Sequence, residues 1–187
     1  MGMMRAWIAG AVLGLCCVAR ADETVAQVER LLGAGPEPAV VHDRIVALGS
    51  AGEQALWELY EDTSKSDVVR LRALSELSLF PTPRTASGLA ALVRAPATGR
   101  TAMELRRALD GLTTLAETVP TGLAAGDLQH LLTHANAHVR KSAAKLLGVI
   151  DRGDVEGALA ALAQRDPSRM VRATAQRAQT VRASRLR

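Results

Sequence analysis

The sequence has very little cysteine. Cys16 and Cys17 are the only two in 187 residues, and both lie in an apolar N-terminal stretch. Loss of that stretch would leave a chain without thiols, which holds no disulfide, no thiolate nucleophile and no cysteine-ligated metal. The stability of such a chain must come from packing, hydrogen bonds and ion pairs.

Aromatic side chains are also scarce, at 2% of the residues. After the N-terminal stretch they are Trp57, Tyr60 and Phe80. The core must therefore be aliphatic, and a composition led by Ala and Leu favours helices, because strands prefer β-branched and aromatic residues. Few aromatic rings also argue against nucleic-acid binding, since bases would find little to stack upon.

The N-terminal apolar run is short. It extends over thirteen uncharged residues, Ala6 to Val18, whereas a bilayer span needs about 17 or more. It follows Arg5 and precedes Ala19-Arg20-Ala21, an order that is typical of a secretory signal peptide. We therefore predict that residues 1–21 are a signal peptide cleaved after Ala21. Lipidation of one of the two cysteines is the alternative.

Cleavage at that position has consequences for location and charge. The product would be periplasmic or secreted, without stable membrane insertion, and the excess of Arg over Lys indicates a bacterial source. Loss of Arg5 and Arg20 lowers the net charge from +4 to +2. This near-neutral charge and the exported location both argue against a nucleic-acid partner.

Charge is distributed unevenly along the chain. Residues 22–67 hold ten acids against three bases, a net charge of −7, and residues 68–187 hold eighteen bases against nine acids, a net charge of +9. One interpretation is an ordinary solvated surface, in which basic side chains suit the end of a final helix. The other is a basic part of the chain that attracts an anionic partner.

A short string recurs along the sequence. Copies start at Val69, Val139 and Val171, each with Arg in the second position and Ala in the fifth. The last two copies start 32 residues apart, and the wider gap before them holds a degenerate copy at 105–108. With an earlier copy at 40–49, the spacing predicts five units of similar length, which is the signature of a repeat architecture.

Each string fits an amphipathic helix. At 100° per residue, Val139, Ala143 and Leu147 share one face, and Lys141 and Lys145 lie opposite. An Asp or Asn before the string (Asp67, Asn136 and Asp166) is typical of a helix N-cap. Another apolar helix precedes each string, at Gln54–Tyr60, Ser87–Val93, Leu128–Leu132 and Val155–Ala163. The predicted unit is therefore a helix pair.

The sequence here resembles a known family. The patterns Asp166-Pro167-Ser168-Arg169-Met170-Val171-Arg172 and Val139-Arg140-x-x-Ala143-Ala144-x-x-Leu147-Gly148 are similar to HEAT repeats, especially the short kind found in phycobilin lyases. The resemblance implies an all-α superhelix of about five repeats over residues 22–182, followed by a basic tail at 183–187. It also implies that the turn Asp and the Arg of Val-Arg pair between neighbouring units. Structural roles then fall to Asp67, Asp166, Arg70, Arg140 and Arg172.

The last copy differs from the others. Where the Val139 helix has Leu147 and Ile150, the Val171 helix has Gln179 and Arg182. A terminal repeat has no following neighbour, so its outer face is expected to be polar. We predict that the repeat array ends here.

No motif for catalysis or for cofactor binding stands out. His130, His134 and His138 have the four-residue spacing of metal-binding histidines on a helix. However, residues 134–136 have the composition of a turn, which would separate them. Ser50 and Ser87 have no His and carboxylate nearby in sequence, and the carboxylates of 58–62 fit an exposed helix face. We expect no enzyme activity, no metal and no cofactor.

The sequence therefore predicts an exported, non-catalytic scaffold that binds a protein partner through a helical-repeat groove. In HEAT geometry the second helices line the inner surface, and their outward basic residues would contact an acidic protein segment or another anionic polymer. These residues are Arg72, Arg107, Lys141, Lys145 and Arg177. One alternative is an accessory protein or enzyme related to the chromophore lyases, and another is a structural component of a cell-envelope assembly.

Overall fold

The computed structural model describes residues 21–33, 38–96 and 99–185, and every regular element in these ranges is helical. The prediction of an all-α protein is confirmed. The predicted signal peptide, apart from Ala21, lies outside the described residues. Within these ranges no helix combines the length and the apolar character that a membrane crossing requires.

The helices follow one another with short connections. Helix α1 includes residues 21–33. Short 3₁₀ turns lie at Leu77–Leu79 and Ala125–Leu128. The other helices are α2 (Pro38–Val46), α3 (Ser50–Glu61), α4 (Asp67–Glu76), α5 (Pro83–Arg94), α6 (Ala102–Leu115), α7 (Gln129–Leu132), α8 (Ala137–Leu147), α9 (Val155–Arg165) and α10 (Arg169–Arg185).

Two compact units divide the chain, one ending at Leu79 and the other beginning at Phe80. In the first unit α3 packs against α4. Most side chains in its core are aliphatic and almost fully buried: Val28, Leu32, Ile45, Leu56, Leu59, Leu74 and Leu77. The core is therefore mainly aliphatic, as expected, but it also includes Trp57 and Tyr60, which are only 8% and 7% exposed.

The second unit contains three helix pairs. Helix α5 packs against α6, the single-turn helix α7 against α8, and α9 against α10. The second helices also pack side by side, α6 against α8 and α8 against α10. Their buried faces carry small or aliphatic residues, which include Leu105, Ala108, Leu112, Val139, Ala143, Leu147, Val171 and Ala175. This row of α6, α8 and α10 is the part of the fold that positions the candidate site.

Local hydrogen bonds explain where these helices begin. The Thr101 hydroxyl and the Glu104 carboxylate each accept from the other residue's backbone N–H, which is a capping box for α6. The Asn136 side chain accepts from the backbone of His138 and caps α8, as predicted. The cap of α4 is Ser66, whose hydroxyl accepts from the backbone of Val69. The prediction of an Asp67 cap was therefore one residue late.

The end of α10 differs from the prediction of a polar outer face. The side chain of Arg182 is only 11% exposed. Its guanidinium donates to the carbonyl of Ile150 and to the carboxylates of Asp151, at 3.1 Å, and Glu156, at 2.9 Å. Arg182 therefore packs against the turn after α8 and the first turn of α9, where its three acceptors lie. Helix α10 also continues to Arg185, through part of the predicted tail.

Candidate interaction surface

A groove lies over the row of second helices in the second unit. It encloses about 860 Å³. Helix α6 and the turn after it contribute Arg106, Asp110, Thr113 and Glu117; helix α8 and its C-terminal end contribute His138, Lys141, Ser142, Lys145, Gly148 and Val149; and helix α10 contributes Thr174, Arg177, Ala178, Val181 and Arg185. Because each helix buries its apolar stripe, its opposite face is left to line this groove.

Basic residues dominate the charge of the groove. Its lining includes two carboxylates, Asp110 and Glu117, and five cations: Arg106, Lys141, Lys145, Arg177 and Arg185. Within the part of the chain that the structure describes, the first four of these cations form no ion pair. Like charges that face a common concave surface create a positive potential there, which attracts anions.

Three of the five residues predicted to bind a partner line this groove: Lys141, Lys145 and Arg177. The other two do not. Arg72 belongs to the first unit, where its guanidinium donates to the carbonyl of Leu32. Arg107 lies on α6 but outside the groove lining, and the neighbouring Arg106 lines the groove in its place.

The rotation of α6 explains this one-residue change. Ala108 and Leu112 are buried in α6 as Ala143 and Leu147 are in α8, which corresponds to an offset of 35 residues between the two helices. With that offset Arg106, rather than Arg107, occupies the position of Lys141. The predicted register matched Leu105 with Val139 instead, and one residue of error turns a helix by 100°.

An ion pair lies at one end of the groove. Arg185, near the end of α10, donates to the Glu117 carboxylate at 3.3 Å. The pair joins α10 to the turn that follows α6. It neutralises Arg185, so the basic character of the groove comes from Arg106, Lys141, Lys145 and Arg177.

The floor of the groove depends on a glycine. A Cβ added to Gly148 would lie 2.9 Å from the Cβ of Ala178, closer than side chains normally approach. Gly148 has ordinary helical dihedral angles, with φ −66° and ψ −16°, so any residue could adopt its backbone conformation. Glycine is needed there because a side chain would collide with Ala178. The small residues at these two positions let α8 and α10 approach closely.

A buried ion pair lies between two of the helix pairs that carry the groove. The Arg140 guanidinium donates from Nε and Nη2 to the two carboxylate oxygens of Asp166, at 2.8 and 3.0 Å. Its Nη1 donates to the carbonyls of His134 and Ala135. The hydrogen bonds from Arg140 hold the pKa of Asp166 below its ordinary value, and the same carboxylate raises the pKa of Arg140. One side chain thereby joins the turns that precede α8 and α10.

The other residues that were expected to have structural roles bind groups that lie close to them in the sequence. Arg172 donates to the carbonyls of Asp166 and Pro167 in its own unit. Arg70 donates to the carbonyl of Tyr60, lies over the Tyr60 ring, and pairs with Asp67 at 3.4 Å. The Arg70–Asp67 pair therefore lies within one helix, whereas the Arg140–Asp166 pair joins two successive helix pairs.

The three histidines are separated by the turn that residues 134–136 were predicted to form. His130 lies on α7, His134 in the turn and His138 on α8, where it borders the groove. The Nδ1 of His134 accepts from the backbone N–H of Asn136 at 3.0 Å. In the described ranges no three His, Cys, Asp or Glu side chains are grouped to hold a metal ion.

Comparison with known proteins gives no relative for this chain. No protein-family model, no curated protein and no solved structure matches it.

Proposed function

We propose that this chain is a non-catalytic interaction module built from HEAT-like helix pairs, and that the groove of α6, α8 and α10 binds an acidic segment of a partner protein. The observation that carries the proposal is the convergence of Arg106, Lys141, Lys145 and Arg177 on one concave surface, where none of the four forms an ion pair with a residue that the structure describes. Complementary charge speeds the encounter of such a surface with its partner and disfavours basic partners.

The order of the helices supports a repeat of the HEAT type. Three successive pairs, α5–α6, α7–α8 and α9–α10, have their second helices packed in one row. The Arg140–Asp166 pair links two of these units, in the way that the resemblance implies. Stacked helix pairs of this kind produce an extended concave surface from the second helices. The position of the groove over the second helices supports this part of the proposal.

The proposed setting is the periplasm or the exterior of a bacterium. The support is the order of Arg5, the apolar run 6–18 and Ala19-Arg20-Ala21. N-terminal sequencing of the exported product is expected to begin at Asp22. A product that retains Met1, or one that begins at a lipidated cysteine, would contradict this setting and leave the groove proposal unaffected.

A charge reversal tests the groove. A fluorescent polyglutamate peptide serves as the probe, and Lys141→Glu/Lys145→Glu is the groove variant. The control, Arg84→Glu/Arg169→Glu, makes the same charge change at two exposed residues of the second unit that lie outside the groove. We expect at least a roughly tenfold loss of affinity in the groove variant and little loss in the control, since a tenfold change corresponds to about 1.4 kcal/mol.

Salt provides the second arm of this experiment. Exposed charges are screened over about 8–10 Å at ordinary ionic strength, so the affinity of the unmodified chain should fall as salt is added. Circular dichroism checks that both double variants remain helical. Equal losses in the groove variant and in the control would show that only overall charge matters, and the groove proposal would then be wrong.

A further inference from the structure

The residues that line the groove change character along α8. Lys141 and Lys145 are one helical turn apart, and the next lining positions are Gly148 and Val149. At about 1.5 Å per residue, Lys141 and Gly148 are separated by about 10 Å along the helix axis. The groove therefore passes from a basic part to an uncharged part within the length of a short peptide.

Helix α10 shows the same change. Arg177 is followed one turn later by Val181, and Ala178 lies between them. Val181 is 43% exposed, and an exposed valine in a concave surface gains free energy when a partner covers it. The basic and the apolar residues occur in the same order on both helices.

The close approach of α8 and α10 brings the two apolar parts together. Gly148 lies directly against Ala178, as the 2.9 Å approach of an added Cβ shows. Val149 and Val181 each follow close behind these two residues in sequence and line the same groove. The apolar part, which we define as Gly148, Val149, Ala178 and Val181, is thus shared by both helices: Gly148 and Ala178 are buried at its base, and Val149 and Val181 are its accessible side chains.

The Arg185–Glu117 ion pair limits the apolar part on its far side. Its two side chains are 43% and 64% exposed, so they border the groove without covering it. Because each neutralises the other, the described lining cations that form no ion pair, Arg106, Lys141, Lys145 and Arg177, lie on the other side of the apolar part. The lining of the groove therefore changes in a fixed order: the four cations come first, the apolar part follows, and the neutral Arg185–Glu117 pair comes last.

We propose that the groove recognises an acidic segment with an aliphatic side chain a few residues from its carboxylates. The carboxylates would bind among Arg106, Lys141, Lys145 and Arg177, and the aliphatic side chain would cover Val181 and Val149. This inference rests on the proposed function and specifies its partner. An extended segment advances about 3.3 Å per residue, so about three residues span the 10 Å from Lys141 to the apolar part.

Two fluorescent peptides test this inference by anisotropy against the purified chain. Both carry the same run of aspartates; one continues with a glycine and leucines, and the other has serines in place of the leucines. We expect the leucine peptide to bind about three- to tenfold more tightly, because roughly 1 kcal/mol of apolar burial corresponds to a factor of about five.

Val181→Thr is the informative variant, because threonine keeps the β-branched shape and removes one apolar methyl. It should reduce most of the preference for leucine and leave the affinity for the serine peptide unchanged. Val46→Thr is the matched control, since Val46 is 47% exposed and belongs to the first unit. Circular dichroism verifies that both variants stay helical.

Each outcome has a definite meaning. A leucine preference that Val181→Thr weakens and Val46→Thr preserves supports the inference. Equal binding of the two peptides, or a preference that Val181→Thr leaves intact, overturns the inference; if Lys141→Glu/Lys145→Glu still abolishes binding, the proposed function stands. Absence of binding, or binding that the double lysine variant does not weaken, overturns both.

Discussion

The guanidinium of Arg140 on α8 reaches the carboxylate of Asp166, which lies 26 residues further along the chain. Two parallel hydrogen bonds join them, and the two side chains are only 10% and 3% exposed. A bidentate pair of this kind fixes orientation as well as distance. Because the same guanidinium holds the carbonyls of His134 and Ala135, it aligns two consecutive helix pairs.

Removal of one partner from this pair should be strongly destabilising. Arg140→Met leaves the buried Asp166 carboxylate without its main partner, and such a change typically costs about 3–5 kcal/mol. Urea denaturation of the variant should show this loss as a lower midpoint. The double variant Arg140→Met/Asp166→Leu should recover part of it, since no uncompensated charge remains buried. A single variant as stable as the unmodified chain would contradict the structural role of the pair.

The same pair should make stability depend on pH in acid. Hydrogen bonds from Arg140 keep the pKa of Asp166 below its ordinary 3.8, so the unfolded chain takes up this proton first. The stabilisation is complete above about pH 4 and is lost as pH falls through the folded-state pKa. Asp166→Asn has no proton to bind at this site. The stability advantage of the unmodified chain over Asp166→Asn should therefore shrink below about pH 4, measured by urea denaturation at several pH values.

A single methyl group should disturb the packing of α8 against α10. In Gly148→Ala the added Cβ would lie 2.9 Å from the Cβ of Ala178, and overpacking of this kind costs about 1–3 kcal/mol. Gly126→Ala is the control, because no atom lies within 4 Å of its added Cβ. Thermal melting should show a drop for the first variant and little change for the second. Ala178→Gly alone is the reference, because glycine inside α10 itself costs about 0.5–1 kcal/mol; a loss in Gly148→Ala/Ala178→Gly smaller than the sum of the two single losses would identify this contact as the cause.

The helical class followed directly from the sequence because composition and the recurring string agreed. The apolar positions Val139, Ala143 and Leu147 specify a single buried face, and all three are fully buried. That pattern also placed Lys141 and Lys145 opposite, where the groove lies. A helix with a single apolar stripe can face the core in only one rotation about its axis, so these surface positions could be predicted.

Other parts of the groove depended on tertiary packing. Leu105, Ala108, Leu109 and Leu112 on α6 allow the string to be aligned in two ways, one residue apart, and only the packed structure distinguishes them. Arg182 was expected in solvent because no local pattern indicates that Ile150, Asp151 and Glu156 supply its acceptors. The sequence places Val181 one helical turn after Arg177, on the same face of α10. That this face lines a groove depends on the neighbouring helix and could not be predicted.

The two adjacent arginines of α6 offer the sharpest test of which face binds. Arg106 lines the groove, and Arg107 does not. Arg106→Ala should therefore weaken polyglutamate binding by about three- to fivefold, in the range of a partly exposed charge contact of roughly 0.5–1 kcal/mol. Arg107→Ala should leave the affinity of the folded chain unchanged. Both substitutions remove one positive charge and introduce the same good helix former, so a difference between them reports position alone.

Fluorescence anisotropy gives the affinities, and thermal melting shows whether each variant is folded at the temperature of the assay. Stronger loss in Arg107→Ala than in Arg106→Ala would mean that the binding face includes the originally predicted register, and that the groove of α6, α8 and α10 is not the interaction surface.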